Sequence, residues 1–246
     1  MSPMSRLPGQ IMTAPYGGGV RRLFLAFAVL ALTALAGCGS DDNAGPAADA
    51  PATSAGSATP STADSPGTAP DGDRIAIGSN EALVWGDGRY GVVLAHGRSY
   101  DAASWAAQAP AIAAQGATVI AVESIEPGAI KDAVDKLQAD GISRVALVGG
   151  SAGADAILTL CAQEPDLADR LVLLSPNVVV DGLGSQPKLF VASADERNVD
   201  VARTLAADSP GDNELKILPG RSHAQAILKK DAGGPVFRLI LDRLRP

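Results

Sequence analysis

The chain has 246 residues, a formal net charge of −7 and only 4% aromatic residues. This acidity argues against a nucleic-acid-binding surface, which needs clustered lysine and arginine. Cysteine occurs only at Cys38 and Cys161, and the first lies in a segment typical of a processing signal, so we expect no internal disulfide.

The amino-terminal segment is typical of an export signal. Arg21 and Arg22 precede an apolar run at 23–37 that is shorter than the ~20 residues of a membrane-spanning helix. The last three residues of the run and Cys38 after it read LAGC, which resembles the lipobox of bacterial lipoproteins. The resemblance implies a signal peptide at 1–37, lipidation of Cys38 and anchoring at the outer face of the cytoplasmic membrane. A plain secretory signal with an incidental cysteine is the alternative, and the two arginines leave twin-arginine export open.

Residues 38–73 are mostly alanine, serine, threonine, proline, glycine and aspartate. Such a segment buries too little apolar surface to fold, so we interpret it as a disordered tether. Residues 74–246 then form one folded domain, long enough to bury a single core. We expect this domain to be a monomer.

Short apolar runs alternate with segments of helical period along the domain. We predict strands at 82–85, 91–95, 118–122, 144–148, 170–174, 188–192 and 215–218, the first two as a hairpin. Helices are predicted at 101–116, 127–141, 152–161 and 235–245, with a further one capped by Asp200. This alternation favours an α/β fold with a mostly parallel central sheet and helices on both faces.

One glycine-rich stretch suggests chemistry. Gly149-Gly150-Ser151-Ala152-Gly153 fits the pattern G-x-S-x-G, directly after a predicted strand and directly before a predicted helix. That context suits a nucleophile elbow, a strained turn that projects the serine hydroxyl above the sheet. The spacing fits neither the dinucleotide-binding G-x-G-x-x-G pattern nor a P-loop. A tight turn without chemical function is the alternative.

Four segments in chain order resemble motifs of the α/β-hydrolase family. They are Leu94-Ala95-His96-Gly97, the turn at Ser151, the strand Phe190–Ala192 with Asp195 after it, and Arg221-Ser222-His223. The resemblance extends from about residue 81 to the carboxyl terminus and includes both histidines of the chain. It implies an α/β-hydrolase fold. Only the short segment 175–187 is available for a lid, so we expect no cap domain and an open site.

The same resemblance implies a catalytic triad. Ser151 would be the nucleophile, His223 the general acid and base, and Asp195 the carboxylate that orients the imidazole. Glu196 is the second candidate for the acid, and we favour Asp195 because it lies nearer the end of the predicted strand. His96 would shape its turn without acting as a base.

Further residues would complete the site. The oxyanion hole would use the backbone N–H groups of Ala152 and Arg98. Tyr100 and Trp105 could line the substrate pocket, although Trp105 could equally pack in the core. Cys161 would be buried on the helix after Ser151.

Taken together, these residues predict a membrane-tethered serine hydrolase. We expect a carboxylesterase that acts on short or surface-presented small-molecule esters through an acyl-enzyme, with no metal and no cofactor. An acyltransferase or peptidase with the same triad is one alternative. A non-catalytic binding lipoprotein with the same fold is another.

Overall fold

The computed structural model describes residues 71–229 and 233–245. The predicted signal peptide, Cys38 and the tether up to residue 70 lie outside the described residues. The first strand begins at Asp73, one residue before the predicted start of the domain. Within the part of the chain that is described, no helix is both long and apolar enough to cross a bilayer.

Strands and helices alternate along the described residues. The strands are β1 Asp73–Ile77, β2 Asn80–Trp85, β3 Tyr90–Ala95, β4 Ala117–Val122, β5 Val145–Gly150, β6 Arg170–Leu174, β7 Lys188–Ser193 and β8 Asn213–Leu218. The helices are α1 Ala109–Ala113, α2 Pro127–Ala139, α3 Ala152–Gln163, α4 Val199–Asp208 and α5 Gly233–Leu244, with 3-10 helices at Ala102–Trp105 and Ala224–Lys229.

The strands form one sheet in the order β1-β2-β4-β3-β5-β6-β7-β8. All pairs from β4 through β8 are parallel, whereas β2 is antiparallel to both of its neighbours. Side chains alternate between the two faces of a strand. Val93 therefore packs toward α2, α3 and α4, while Val92 and Leu94 pack toward α1 and α5. The structure confirms the predicted α/β class and the mostly parallel sheet covered on both faces.

The predicted hairpin of strands 82–85 and 91–95 is wrong. β3 instead lies between β4 and β5, and β2 pairs with β4. β3 is buried at every position, as a central strand of a parallel sheet must be, so it bonds to parallel neighbours on both edges. The observed hairpin joins β1 to β2 through Gly78, whose φ of 58° suits glycine. β1 was missed because most of its side chains are exposed or only partly buried.

The predicted helix at 101–116 is split into two short elements. Asp101 accepts a hydrogen bond from the Ser104 backbone N–H at 3.0 Å and caps only the 3-10 helix. Pro110 then lies in the first turn of α1, where its missing N–H is tolerated. Asp200 was predicted to cap α4 but lies within its first turn, where an acidic side chain favours the helix dipole. The segment 175–187 contains neither helix nor strand.

Candidate active site

Ser151 lies in a sharp turn between β5 and α3. Its backbone has φ 51° and ψ −115°, an unfavourable conformation for a residue with a side chain. The Ser151 N–H donates to the Leu174 carbonyl at 2.8 Å, which ties the turn to the end of β6. Backbone atoms of neighbouring segments come so close to Gly149 and Gly153 that neither position has room for a side chain. A Cβ at Gly153 would lie 2.4 Å from the Ala95 carbonyl oxygen, and one at Gly149 would lie 2.7 Å from the backbone of Ala154.

Three side chains from three separate loops are joined by hydrogen bonds. His223 Nε2 lies 2.8 Å from Ser151 Oγ, and its Nδ1 lies 2.7 Å from Glu196 Oε2. The second carboxylate oxygen of Glu196 accepts the Ser193 backbone N–H at 2.9 Å. The Glu196 side chain is 4% exposed, whereas that of His223 is 44% exposed. A buried, fixed carboxylate therefore holds an accessible imidazole against the serine hydroxyl.

The structure places Glu196, and not Asp195, against His223, so the preference for Asp195 is wrong. A turn closes after β7, with the Glu196 N–H donating to the Ser193 carbonyl at 3.3 Å. Asp195 is exposed at the outside of this turn, and its backbone N–H donates to the Gly220 carbonyl. Glu196 comes next, and its longer side chain returns over the end of the strand. Proximity to the strand in sequence was therefore a poor guide to the direction of the carboxylate.

Two serine hydroxyls hold the loop of His223 on both sides. Ser193 Oγ donates to the Ser222 carbonyl at 2.5 Å, and the Ala224 N–H donates to Ser175 Oγ at 3.0 Å. Ser175 and Ala224 both have positive φ, at 50° and 51°. These contacts fix the backbone before and after the histidine. Ser193 lies within the segment Phe190–Asp195 but had no predicted role, and Ser175 belongs to no motif that the sequence displays.

Arg98 and Ala152, the predicted oxyanion donors, both lie beside Ser151. Among the described residues, neither backbone N–H donates to an acceptor. The preceding Gly97 N–H is occupied, since it donates to Gln225 Oε1 at 3.1 Å. The two predicted donors are thus available at the depression that contains the hydroxyl.

That depression has a volume of about 490 Å³ and is open to solvent. It lies at the carboxyl ends of the parallel strands, where open α/β sheets bind ligands. Its lining includes Ser151 and His223, together with Gly97, Arg98, Ser99, Tyr100, Ala152, Asp155 and Asn177. Lys229 Nζ lies 5.0 Å from the centre of the Tyr100 ring. Two other depressions, each lined by residues from both 86–90 and 140–144, lie at the opposite ends of the strands.

Other predicted residues lie away from the hydroxyl. Trp105 is 1% exposed and packs in the core beside α1, so its prediction as a pocket residue is wrong. His96 Nδ1 lies 2.9 Å from the Gly97 carbonyl oxygen, and its Nε2 lies 3.0 Å from that of Glu123. Neither ring nitrogen of His96 is therefore available to Ser151. Cys161 is fully buried, and burial raises the pKa of its thiol to about 12.

Sequence reasoning also missed two polar residues beside Ser151. Asn177 Nδ2 lies 3.2 Å from Ser151 Oγ and 2.8 Å from Asp155 Oδ2. Asp155 lies one turn along α3 from Ser151, a spacing that places both on one side of the helix. Asn177 follows β6, and no local pattern in the sequence relates it to the serine.

No family model matches the chain, and no curated protein matches it in sequence. Solved structures with a similar fold include a CIB-like hydrolase from Thermoplasma acidophilum, 20% identical with a TM-score of 0.57 over 70% of this chain and 96% of the other. A soluble variant of monoglyceride lipase from Saccharomyces cerevisiae is 11% identical, with a TM-score of 0.58 over 75% and 97%. Dienelactone hydrolase from Anabaena variabilis is 14% identical, with a TM-score of 0.55 over 70% and 94%. The chain therefore has the α/β-hydrolase fold.

Proposed function

We propose that this protein is a serine hydrolase that cleaves carboxylic esters with Ser151, His223 and Glu196. The observation that carries the proposal is the continuous series of hydrogen bonds from Glu196 through His223 to the Ser151 hydroxyl. A serine hydroxyl is a weak nucleophile unless a neighbouring base accepts its proton. The strained turn at Ser151 supports the same role, because strain of this kind is retained at functional sites.

Acylation follows from these contacts. Ser151 Oγ attacks the ester carbonyl carbon while its proton moves to His223 Nε2. The carbonyl oxygen becomes an oxyanion and accepts hydrogen bonds from the Ala152 and Arg98 N–H groups. His223 then protonates the alcohol oxygen as the bond from that oxygen to the acyl carbon breaks. Glu196 stabilises the positive charge that the imidazole carries in between.

Deacylation repeats the sequence with water. His223 removes a proton from a water molecule, whose oxygen attacks the acyl carbon of the acyl-enzyme. The intermediate collapses, the bond to Ser151 Oγ breaks, and His223 returns its proton to that oxygen. A carboxylic acid leaves and the serine is restored. Each proton transfer uses Nε2, the ring nitrogen that faces Ser151.

The lining of the depression favours small, polar esters. It combines Arg98, Tyr100 and Asp155 with backbone groups, and its described lining residues include no large aliphatic side chain. Long acyl chains would gain little there, because their transfer from water requires apolar surface. We also propose that the enzyme acts outside the cytoplasm, anchored by a lipid on Cys38, so that it acts on short esters or on esters presented at a surface.

A fluorophosphonate probe tests the proposed chemistry. The probe should add one phosphonyl group to Ser151, and Ser151→Ala should abolish the addition. Ser143→Ala, an exposed serine at the opposite end of the sheet, is the matched control and should react like the wild type. Absence of labelling in folded wild-type protein would contradict the proposal. Hydrolysis rates for acetate, butyrate and palmitate esters then test the expected preference for short chains.

Anchoring needs a separate experiment in a bacterial host. Wild-type protein should incorporate labelled palmitate and sediment with the membrane fraction. Cys38→Ala protein should do neither. Membrane association of exported Cys38→Ala protein would contradict the anchor while leaving the proposed chemistry intact.

A further inference from the structure

Asn177 contacts the proposed nucleophile although it belongs to none of the motifs that the sequence displays. We propose that Asn177 is a further catalytic residue, which holds the Ser151 hydroxyl in its reacting orientation and stabilises the oxygen as it loses its proton. This inference rests on the proposed serine-hydrolase function. It concerns a group that the Ser151–His223–Glu196 series does not include.

Four hydrogen bonds fix the side chain and backbone of Asn177. Its Nδ2 donates to Ser151 Oγ at 3.2 Å and to Asp155 Oδ2 at 2.8 Å. Its backbone N–H donates to the other oxygen of Asp155 at 2.7 Å, and its Oδ1 accepts from Asn198 Nδ2 at 2.8 Å. The Asp155 carboxylate therefore holds Asn177 by two donors at once, and Asn198 holds it from the opposite side.

These partners also decide which end of the amide faces the serine. An ionised carboxylate only accepts hydrogen bonds, so the NH₂ group must face Asp155. The Asn198 amide donates to the remaining oxygen. The reversed amide would place its oxygen against the Asp155 carboxylate and its NH₂ against another NH₂. Asn177 is therefore a donor, and not an acceptor, toward Ser151.

A donor at this position directs the serine proton. The hydroxyl has a single hydrogen and two lone pairs. When Asn177 donates to one lone pair, the hydrogen is free to point at His223 Nε2, which lies 2.8 Å from Oγ. The reacting rotamer is then already formed before substrate binds, which removes an orientational cost from the chemical step.

The same hydrogen bond should strengthen during the reaction. As the proton moves to His223, negative charge builds on Ser151 Oγ, and hydrogen bonds to charged oxygens are stronger than those to neutral ones. The charge returns to Oγ when it leaves the acyl carbon in deacylation. An interaction that is stronger in the transition state than in the ground state raises the rate of the chemical step.

An exchange of the Asn177 and Asp155 side chains distinguishes a catalytic role of Asn177 from a role in holding the loop in place. In the double variant Asn177→Asp/Asp155→Asn, the new amide donates to the new carboxylate, so the contact between positions 155 and 177 is kept. The bonds from the 177 backbone N–H and from Asn198 are kept as well. What changes is the group that faces Ser151, from a neutral donor to a charged acceptor, which cannot stabilise the negative charge that develops on Oγ.

The measurement is the rate constant of fluorophosphonate addition, compared with the thermal unfolding midpoint. We expect the exchange variant to unfold near the wild-type temperature and to react about tenfold more slowly, the effect of one hydrogen bond to a reacting atom. Asn177→Ala, which needs no exchanged pair, should be slowed to a similar extent. Asn80→Asp at the start of β2 carries the same change of side chain at a residue that does not line the depression, and it should react at the wild-type rate.

The outcomes distinguish this inference from the function on which it rests. A wild-type protein that does not react overturns both. A wild-type protein that reacts, together with an exchange variant or Asn177→Ala variant that reacts equally fast, overturns only the role of Asn177. If the exchange variant does not fold, the rate of Asn177→Ala decides.

Discussion

Gln225 Oε1 accepts a hydrogen bond from the Gly97 backbone N–H at 3.1 Å, across a sequence separation of 128 residues. Gln225 is 1% exposed, and its Nε2 donates to Ser104 Oγ at 3.0 Å. It thus joins the loop of His223 to the turn that carries Arg98. It also accounts for Gly150, where a Cβ would lie 2.8 Å from the same Oε1. One buried amide therefore sets the position of the proposed oxyanion donor relative to the proposed base.

Gln225→Met should reduce catalysis more than it reduces substrate binding. Methionine keeps the length of the side chain but leaves the buried Gly97 N–H without an acceptor, so the turn at Arg98 shifts. We expect kcat to fall by about ten- to a hundredfold on the best short ester, with KM changed by less than about threefold. Ser104→Ala removes the partner of Nε2 together with the hydrogen bond from Ser104 Oγ to the Asp101 carbonyl, leaves the Gly97 N–H its acceptor, and should retain most of kcat. Equal kcat values for Gln225→Met and the wild type would contradict the positioning role.

Glu196 and Asp195 are neighbouring acids, but Glu196 is buried against His223 whereas Asp195 is exposed and does not contact it. Glu196→Gln should lower kcat by roughly a thousandfold or more, because an amide no longer stabilises the imidazolium and can impose the wrong tautomer. Asp195→Asn changes an exposed carboxylate and should leave kcat within about twofold. Steady-state kinetics of the two variants make the comparison, since each removes one negative charge without changing side-chain size. A large loss in Asp195→Asn would favour that residue as the acid.

Gly153→Ala should damage the domain, although alanine normally favours a helix. The new Cβ would overlap the backbone of Ala95 and His96, at 2.4 to 2.6 Å. Relief of that overlap must displace α3 or the end of β3, so we expect a loss of about 2 kcal/mol or more in the free energy of unfolding. Gly128→Ala in α2 is the matched control, because a Cβ added there would meet no described atom beyond its own helix within 4 Å. That variant should be stabilised by about 0.5–1 kcal/mol in urea denaturation.

The Cys161 thiol should make stability fall at alkaline pH. Burial raises its pKa from 9.0 to about 12 in the folded state, while the unfolded chain ionises near the ordinary value. The unfolded state therefore binds fewer protons than the folded state in this interval, and the free energy of unfolding falls as pH rises. Full stability is present below the ordinary pKa. It is lost by up to about 1.4 kcal/mol per pH unit until the folded pKa is reached.

Urea denaturation at about pH 8 and about pH 10 checks this sign. The wild type should lose roughly 1 kcal/mol more than Cys161→Ala over that interval. Tyr90, whose pKa burial also raises, contributes with the same sign to both proteins and cancels in the comparison. Parallel pH dependences in the two proteins would contradict the prediction. The native thiol should also resist a thiol reagent that labels the urea-unfolded chain.

Local patterns in the sequence were sufficient for the fold class and for two members of the site. The buried apolar runs indicated the parallel strands, because a strand covered on both faces cannot alternate. Ser151 was found because glycines, a strand and a helix must surround an elbow within a few residues. His223 was found because Arg221-Ser222-His223, shortly after the last predicted strand, resembles the histidine motif of the α/β-hydrolase family. Each of these signals lies within about ten residues of the chain.

The sequence by itself therefore determined the layered architecture, the strained serine turn and the position of the histidine. Only the tertiary structure decided that β2 pairs with β4, that Glu196 faces His223, and that Asn177 and Gln225 reach Ser151 and Gly97. The physical reason is that a hydrogen bond requires its donor and acceptor atoms to be placed to within a few tenths of an ångström, which depends on the direction in which each side chain extends. That direction is set by turns and by packing between strands that are far apart in sequence, and no local spacing encodes it.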